Sequence, residues 1–253
     1  MILEARSLAI GYRDRVVGRG LDVGLAGGEV LALLGPNGGG KTTLLKTLLG
    51  LIPPLGGEVF ITNRLLSRLS VQERARLIAY VPQVHAGAFA FTVEDVVLMG
   101  RNAHGDLFSR PSARDRQVAA AAIERLGIAH LAERPYTMIS GGERQLALIA
   151  RALAQEPYAV VLDEPTASLD FGNQGKVMRE IRALAAAGLG VIVSTHDPNH
   201  ALRHTDRALL IRDGAVLASG PVREVLTRDG LQSLYRTSVI AVEGAADRAF
   251  LPG

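Results

Sequence analysis

The 253 residues carry 28 basic and 25 acidic side chains, a formal charge of +3 and no cysteine. Disulfides and thiolate metal sites are excluded, and a charge so small and scattered gives no argument for nucleic acid as a partner. Hydrophobic residues make up 48 %, enough for a large core, yet no run of eighteen apolar residues occurs, so no membrane span and no secretory leader is expected.

In chain order, Ile2 to Ile10 and Leu21 to Leu25 read as strands of an antiparallel layer, with Tyr12 in the turn between them. Tyr12 is either an ordinary surface aromatic or a flat face for stacking a base. Val30 to Leu34 is a short apolar run suited to a buried parallel strand. It enters Gly35-Pro36-Asn37-Gly38-Gly39-Gly40-Lys41-Thr42, which fits G-x-x-x-x-G-K-[ST], and Thr43 to Leu49 continues helically. Strand, glycine loop and helix aim a helix N-terminus at an anion. The glycines admit close backbone approach, Lys41 supplies an ammonium, and Thr42 a hydroxyl for Mg²⁺. The chain has only three lysines, and one stands in this loop.

Glu58 to Ile61 is a further strand. A capped helix around Ser70 to Leu77 leads into the strand Ile78 to Val81, and Pro82-Gln83 leaves an amide at its end. From Val84 to about Glu156 the pattern turns helical, with Thr92 to Met99, Ser112 to Leu126 and Gly141 to Gln155, as expected of a helical subdomain (84–156) inserted in an α/β core (1–83 and 157–253). Within it, Ser140 and Glu143 form a capping box, a sufficient structural role. Gly141 and Gly142, however, cost about 1 kcal/mol each against alanine in a helix's first turn. A hydroxyl, exposed N–H groups and no side-chain bulk describe a second anion site.

Tyr158 to Leu162 is another buried strand and ends in Asp163-Glu164. These are either strand-end charges or, beside the phosphate loop, a Mg²⁺ ligand and a group that polarises water. Thr166 to Asp170 precedes an amphipathic helix from Asn173 to Ala187 using Val177, Ile181 and Leu184. Gly190 to Thr195 then delivers His196 to a strand end. Asp197-Pro198 caps the next helix, so His196 lies off the face that His200 and His204 occupy, and a metal stripe is rejected. Asp213-Gly214 joins two short strands in a hairpin, short helices follow near Pro221 to Leu226 and Gly230 to Tyr235, and Ser238 to Val242 is the last strand candidate. The tail from Glu243 carries no readable function.

The ordered motifs Tyr12, GPNGGGKTT, VPQ, ISGGERQ, VVLDEP, SLD and STH resemble those of the ATP-binding cassette (ABC) ATPases, and they span Tyr12 to His196. The resemblance implies a P-loop core with a mostly parallel sheet, an N-terminal antiparallel β layer and an inserted helical subdomain. It also implies ATP and Mg²⁺ as cofactors. By position, Tyr12 would stack adenine. Gly35, Pro36, Asn37, Gly38, Gly39, Gly40, Lys41, Thr42 and Thr43 would bind the nucleotide, with Lys41 and the Gly38 to Gly40 backbone on the β and γ phosphates, Thr42 on the metal and Thr43 on the α phosphate. Gln83 would touch Mg²⁺ and the attacking water, Asp163 would support the metal, Glu164 would act as base and His196 would contact the γ phosphate. Ser140, Gly141, Gly142 and Glu143 would clamp the nucleotide of a second copy in an ATP-sandwich homodimer, with Asp170 communicating across it. Gly39, Ile139 and Glu143 replace a commoner serine, leucine and glutamine of the family; none removes a phosphate contact.

The stretch Phe91 to His104 resembles the importers of metal chelates (iron-siderophore, haem or cobalamin) and the related molybdate or tungstate branch. The insertion, including Phe89-Ala90-Phe91, resembles the molybdate branch somewhat more. Phe89 and Phe91 either fill the subdomain's core or help receive a helix of a membrane subunit. The implied setting is the cytoplasmic face of a membrane, bound to integral permease subunits and indirectly to a periplasmic or surface substrate-binding protein. The competing expectations are a soluble ABC ATPase uncoupled from transport, the ATPase of a separate-subunit exporter, and an unrelated P-loop kinase or GTPase; ISGGE and His196 disfavour the last.

Overall fold

A computed structural model describes residues 1–83, 91–105, 110–167, 169–243 and 248–253. Phe89, Ala90 and Ser168, residues of the stretches named above, lie outside the described residues, as does the start of the expected helical insertion.

Two sheets organise the chain. The first is antiparallel and has the order β2-β1-β4-β5, built from β1 (Leu3–Tyr12), β2 (Arg15–Leu25), β4 (Gly56–Ile61) and β5 (Arg64–Leu65). β2 starts at Arg15, well before the apolar run, because Tyr12 pairs with Arg15 and the strand ladder pulls polar residues into register. Tyr12 is thus the last residue of β1 rather than a free turn residue. The second sheet has the order β10-β9-β3-β8-β7-β6. It comprises β3 (Val30–Leu34), β6 (Ile78–Val81), β7 (Ala159–Leu162), β8 (Gly190–Thr195), β9 (Arg207–Arg212) and β10 (Ala215–Pro221). All its neighbours run parallel except the β9–β10 hairpin.

The alternation of side chains along β3 explains how the layers assemble. Leu31 and Leu33 face one way, into a core shared with Leu3, Leu8 and Leu21 of the antiparallel sheet and with Leu44, Leu45 and Leu48 of helix α1 (Lys41–Leu48). Val30, Ala32 and Leu34 face the other way, into a core with the remaining helices. Helix α1 therefore lies between two sheets. Its three leucines are at most 1 % exposed, which anchors the glycine loop at its head.

On the other face stand α3 (Val93–Leu98), α4 (Ala113–Arg125), α5 (Gly141–Ala154), α6 (Phe171–Ala186) and α7 (Pro198–His204); α2 (Val71–Leu77) precedes β6. Ser70, Thr92, Ser112 and Ser140 each close a capping box at the head of α2, α3, α4 and α5. Arg101, only 6 % exposed, knits this layer: it meets Asp115 at 2.9 Å, Glu156 at 2.7 Å and the Ala154 carbonyl at 2.7 Å. Three partners satisfy a buried guanidinium that would otherwise be costly. The chain closes with α8 (Val222–Val225), α9 (Arg228–Tyr235) and a second hairpin of β11 (Val239–Glu243) and β12 (Arg248–Pro252). β12 carries no strong sequence signal; its pairing with β11 and the burial of Phe250 define it.

Candidate functional site

The loop between β3 and α1 is shaped by backbone that only glycine adopts freely. Gly38 has φ 78° and Gly40, the N-cap of α1, φ 105°. Gly40 brings no side-chain oxygen to the helix end, so the first-turn N–H groups are left for another partner. The β9–β10 turn supports the loop from behind. Asp213 and Gly214 both have positive φ, 51° and 73°, as a type I′ turn demands, and the Gly214 N–H donates to the Gly39 carbonyl at 3.2 Å. A Cβ at Gly35 would stand 2.1 Å from the Ile211 carbonyl oxygen. The sequence reading found the hairpin but not this contact, which depends on β9 lying beside β3.

Lys41 is nearly buried, and its ammonium folds back to donate to the carbonyls of Gly35 at 2.7 Å and Pro36 at 3.1 Å. Burial pulls its pKa down, and Glu164 and Asp163 pull it back up. A cleft of about 740 Å³ opens in front of it, lined among others by Tyr12, Asn37, Gly38, Gly40, Lys41, Thr42, Thr43, Gln83 and Glu164. The structure thus brings the aromatic residue, the loop and the two strand-end groups to one space. Arg15, Val16 and Val17 of β2 line it too, a contribution hidden in sequence because that half of β2 reads as a loop.

At the end of β7 the Asp163 carboxylate is tied to the backbone of Glu164 through Ser194 of β8. Asp163 accepts from the Ser194 hydroxyl at 2.6 Å and, more loosely, from the Tyr80 hydroxyl at 3.4 Å. Ser194 in turn accepts from the Glu164 N–H at 2.9 Å. Burial, with Asp163 beside it, pushes the Tyr80 phenol up to about 12, so it stays a donor. Glu164 takes φ 47°, a left-handed conformation unusual for a side chain of this kind, and so leaves the strand direction that Asp163 keeps. Its Oε2 stands 3.8 Å from Nδ1 of His196, whose ring is 63 % exposed. Ser194 and Tyr80 were not singled out in the sequence; the signal for Ser194 is a hydroxyl interrupting the buried run of β8.

The second helix end is built differently. Ser140 accepts from the Glu143 N–H at 3.3 Å, and Glu143 accepts from the Ser140 N–H at 2.7 Å. A Cβ on Gly142 would meet Cγ of Asn173 at 2.6 Å. Close packing of α5 on α6 is therefore a structural reason for Gly142 that sequence reasoning overlooked. Gly141 has no such neighbour, its nearest being Leu169 at 3.7 Å. Asp170, the N-cap of α6, accepts from the Asn173 N–H at 2.8 Å and from its side-chain amide at 2.7 Å. Asn173 thus connects Asp170 to Gly142. Ser140 to Glu143 and Asp170 do not line the cleft at Lys41.

The family model described as ABC transporter matches residues 19–167. The chain belongs to the ABC transporter family. It is 43 % identical over 239 residues to a hemin import ATP-binding protein of Gloeobacter violaceus, covering 92 % of this chain and 86 % of the relative. It is 37 % identical over 231 residues to a molybdate import ATP-binding protein of Haemophilus influenzae, covering 91 % and 86 %. Among solved structures, a chain of a transporter described as metal-chelate type ABC, in an inward-facing conformation, superposes with a TM-score of 0.89 at 35 % identity, covering all of this chain and 97 % of that one. The α/β fold with its mostly parallel sheet and antiparallel layer is that of the family, and so is ATP binding.

The cassette's residues also fit Mg²⁺. Among the described residues no group of three acidic or histidine side chains could hold an ion unaided. The hydroxyl of Thr42 and the amide of Gln83 line the cleft, and the carboxylate of Asp163 stands next to Glu164, which lines it too; such oxygen donors would suit an ion completed by phosphates and water.

Proposed function

We propose that this cassette is the ATP-hydrolysing subunit of an importer for a metal chelate or a related oxyanion. The observation that carries the reading is the meeting of Lys41, Gln83 and Glu164 in one cleft beside an uncapped helix end. Tyr12 offers a half-exposed ring in the lining of that cleft, suited to adenine. Lys41 would exchange its two carbonyl partners for the β and γ phosphates, and the N–H groups at the head of α1 would take the remaining oxygens. Thr43 lies on the first turn for the α phosphate. Mg²⁺ on Thr42, Gln83 and Asp163 would neutralise charge on the phosphates. Glu164, turned out of the strand, would accept the proton of a water that Gln83 helps orient, and His196 would meet the γ phosphate.

The helix end at Ser140 to Glu143 has no Lys41 of its own, and a second copy placed head to tail would supply the phosphate. Asp170, joined to Gly142 through Asn173, would report across that interface. A groove of about 560 Å³ lies between α2 and the segment Met99–Ala103, and it would be the docking place for the permease. Leu51 and Val71 are exposed along it, and Nε of Arg74, buried in its wall, donates to nothing among the described residues. Residues 84–156 would move as a helical subdomain with that partner. Among the described residues no helix is long and apolar enough to cross a membrane, so attachment to the cytoplasmic face would be through the permease. Import is favoured by the names of the relatives, which extend to both hemin and molybdate.

Replacing Glu164 by Gln tests the reading. ATP affinity stays within a few-fold, while turnover falls by about a hundredfold or more, the range of a lost general base, and an ATP-bound dimer accumulates on size exclusion. Parental turnover would remove Glu164 as the base.

A further inference from the structure

His196 has an exposed ring, yet its backbone is tied down by the C-terminal segment. Tyr235, the last residue of α9, donates its hydroxyl to the His196 carbonyl at 3.2 Å. Asn199, in the first turn of α7, exchanges two bonds with the backbone of Phe250 in β12. Its amide donates to the Phe250 carbonyl at 3.0 Å, and its oxygen accepts from the Phe250 N–H at 2.8 Å. The Phe250 ring is buried at 3 % exposure, so β12 has a fixed seat from which to hold Asn199. Between these two contacts, Asp197 caps α7 and its own N–H donates to the Thr195 hydroxyl. Residues 196 to 199 are gripped at both ends by elements more than thirty positions away in sequence. Burial, with Asp197 and Glu164 nearby, pushes the Tyr235 phenol up to about 12, which keeps it protonated and donating at working pH.

We propose that Tyr235 and the Asn199–Phe250 pair are positioning residues for His196, through which the C-terminal segment sets the hydrolytic competence of the cassette. The proposal rests on the reading of His196 as the γ-phosphate contact. A ring with 63 % of its surface open has little packing to define it, so the backbone carrying it must. Fixing the carbonyl of His196 and the side chain of Asn199 restricts the loop where it leaves β8, at the point from which Nδ1 approaches Glu164.

The test uses the full chain with His196→Ala, Tyr235→Phe and Asn199→Ala, in steady-state ATP hydrolysis and in amide hydrogen exchange of the nucleotide-free protein. Tyr235→Phe lowers kcat about fivefold with the KM for ATP unchanged, the size one neutral hydrogen bond carries. Its melting temperature falls by no more than about 4 °C. Amides of residues 196 to 200 exchange faster in Tyr235→Phe and in Asn199→Ala, while those of α1 do not change. On a His196→Ala background, Tyr235→Phe costs nothing more, because both act on one group. Parental kcat in Tyr235→Phe beside an impaired His196→Ala overturns the positioning role and leaves the reading of His196 intact. Unaltered exchange at 196 to 200 in both variants overturns the grip itself. Parental hydrolysis by His196→Ala overturns the site assignment, and the proposal with it.

Discussion

Helices α1 and α5 both open on glycine, and the protein builds their ends in opposite ways. At α1 the cap is Gly40, with no side-chain bond, no acidic residue in the first turn and Lys41 as the first helical residue. At α5 the cap is Ser140, locked to Glu143 by reciprocal bonds, with a carboxylate in the first turn. Both patterns look like anion sites in sequence. Only the first is unfinished without an anion: its N–H groups lack a side-chain partner and its field is positive. The second has already satisfied two donors and placed a negative charge beside them. A phosphate reaching α5 must displace bonds or sit beside that charge, so it needs other attachments, as one clamped in a second copy's α1 loop would have. Under the proposed function, the difference would separate a site that recruits nucleotide from one that responds to it.

The largest break in this comparison comes from Lys41→Ala. The buried ammonium is held by two carbonyls at a cost in solvation, which is why burial lowers its pKa. With ATP it would make charge-assisted bonds of about 1.5–3 kcal/mol each, so affinity falls about a hundredfold or more by calorimetry. A loss under threefold would mean that the cleft does not hold phosphate at Lys41.

Gly142→Ala is next. The added Cβ would stand 2.6 Å from Cγ of Asn173, 2.8 Å from its amide nitrogen and 2.9 Å from its Cβ, so α5 and α6 must separate or Asn173 must give up Asp170. Overpacking of this kind costs about 1–3 kcal/mol, partly offset by alanine's helix propensity, and lowers the melting temperature by a few degrees. Asn173→Ala in the same chain recovers part of the loss by removing the obstacle. Nucleotide binding at α1 is unaffected. A rise in melting temperature for Gly142→Ala alone would remove packing as the reason for this glycine and leave the anion site to account for it.

Much of the fold was legible because periodicity and turn chemistry are local. The runs at β3, β6 and β8 emerge with the expected residues, and Ser70, Thr92, Ser112 and Ser140 cap where the sequence places helix starts. The unread parts are those that neighbours far away in sequence create. Gly142 is confined by Asn173, Gly39 is held by Gly214, the Asp163 carboxylate is tied to the Glu164 backbone by Ser194, and β12 exists because β11 lies beside it. Likewise the stretch Phe91 to His104, read for its resemblance to chelate importers, has ordinary work as well. Asp95 closes the cap of α3, Arg101 binds Asp115 and Glu156, and His104 meets the Gln155 carbonyl at 2.9 Å. A motif's spacing reveals that a residue is constrained; the contact decides by what.

The smallest effect discriminates the two helix ends most finely. The Ser140 N–H and hydroxyl hold the Glu143 carboxyl below its ordinary pKa. A carboxyl whose pKa is lower in the folded chain contributes stability above its unfolded value, about pH 4.3, and loses it as pH falls through the folded-state value. Acid therefore loosens the end of α5, whereas α1 has no carboxylate in its first turn to protonate. Glu143→Gln keeps an acceptor for the Ser140 N–H, so at pH 7 its melting temperature stays within about 1 °C of the parent. As pH falls below about 4.3 the parent then loses stability more steeply than the variant. The same substitution removes the negative charge beside the proposed second phosphate and shifts ATP-driven dimerisation to lower protein concentration. Identical acid slopes would show that the carboxylate bond is not kept in solution. Unchanged dimerisation would show that Glu143 does not face the partner's nucleotide, and α5 would then be a capped helix like α4.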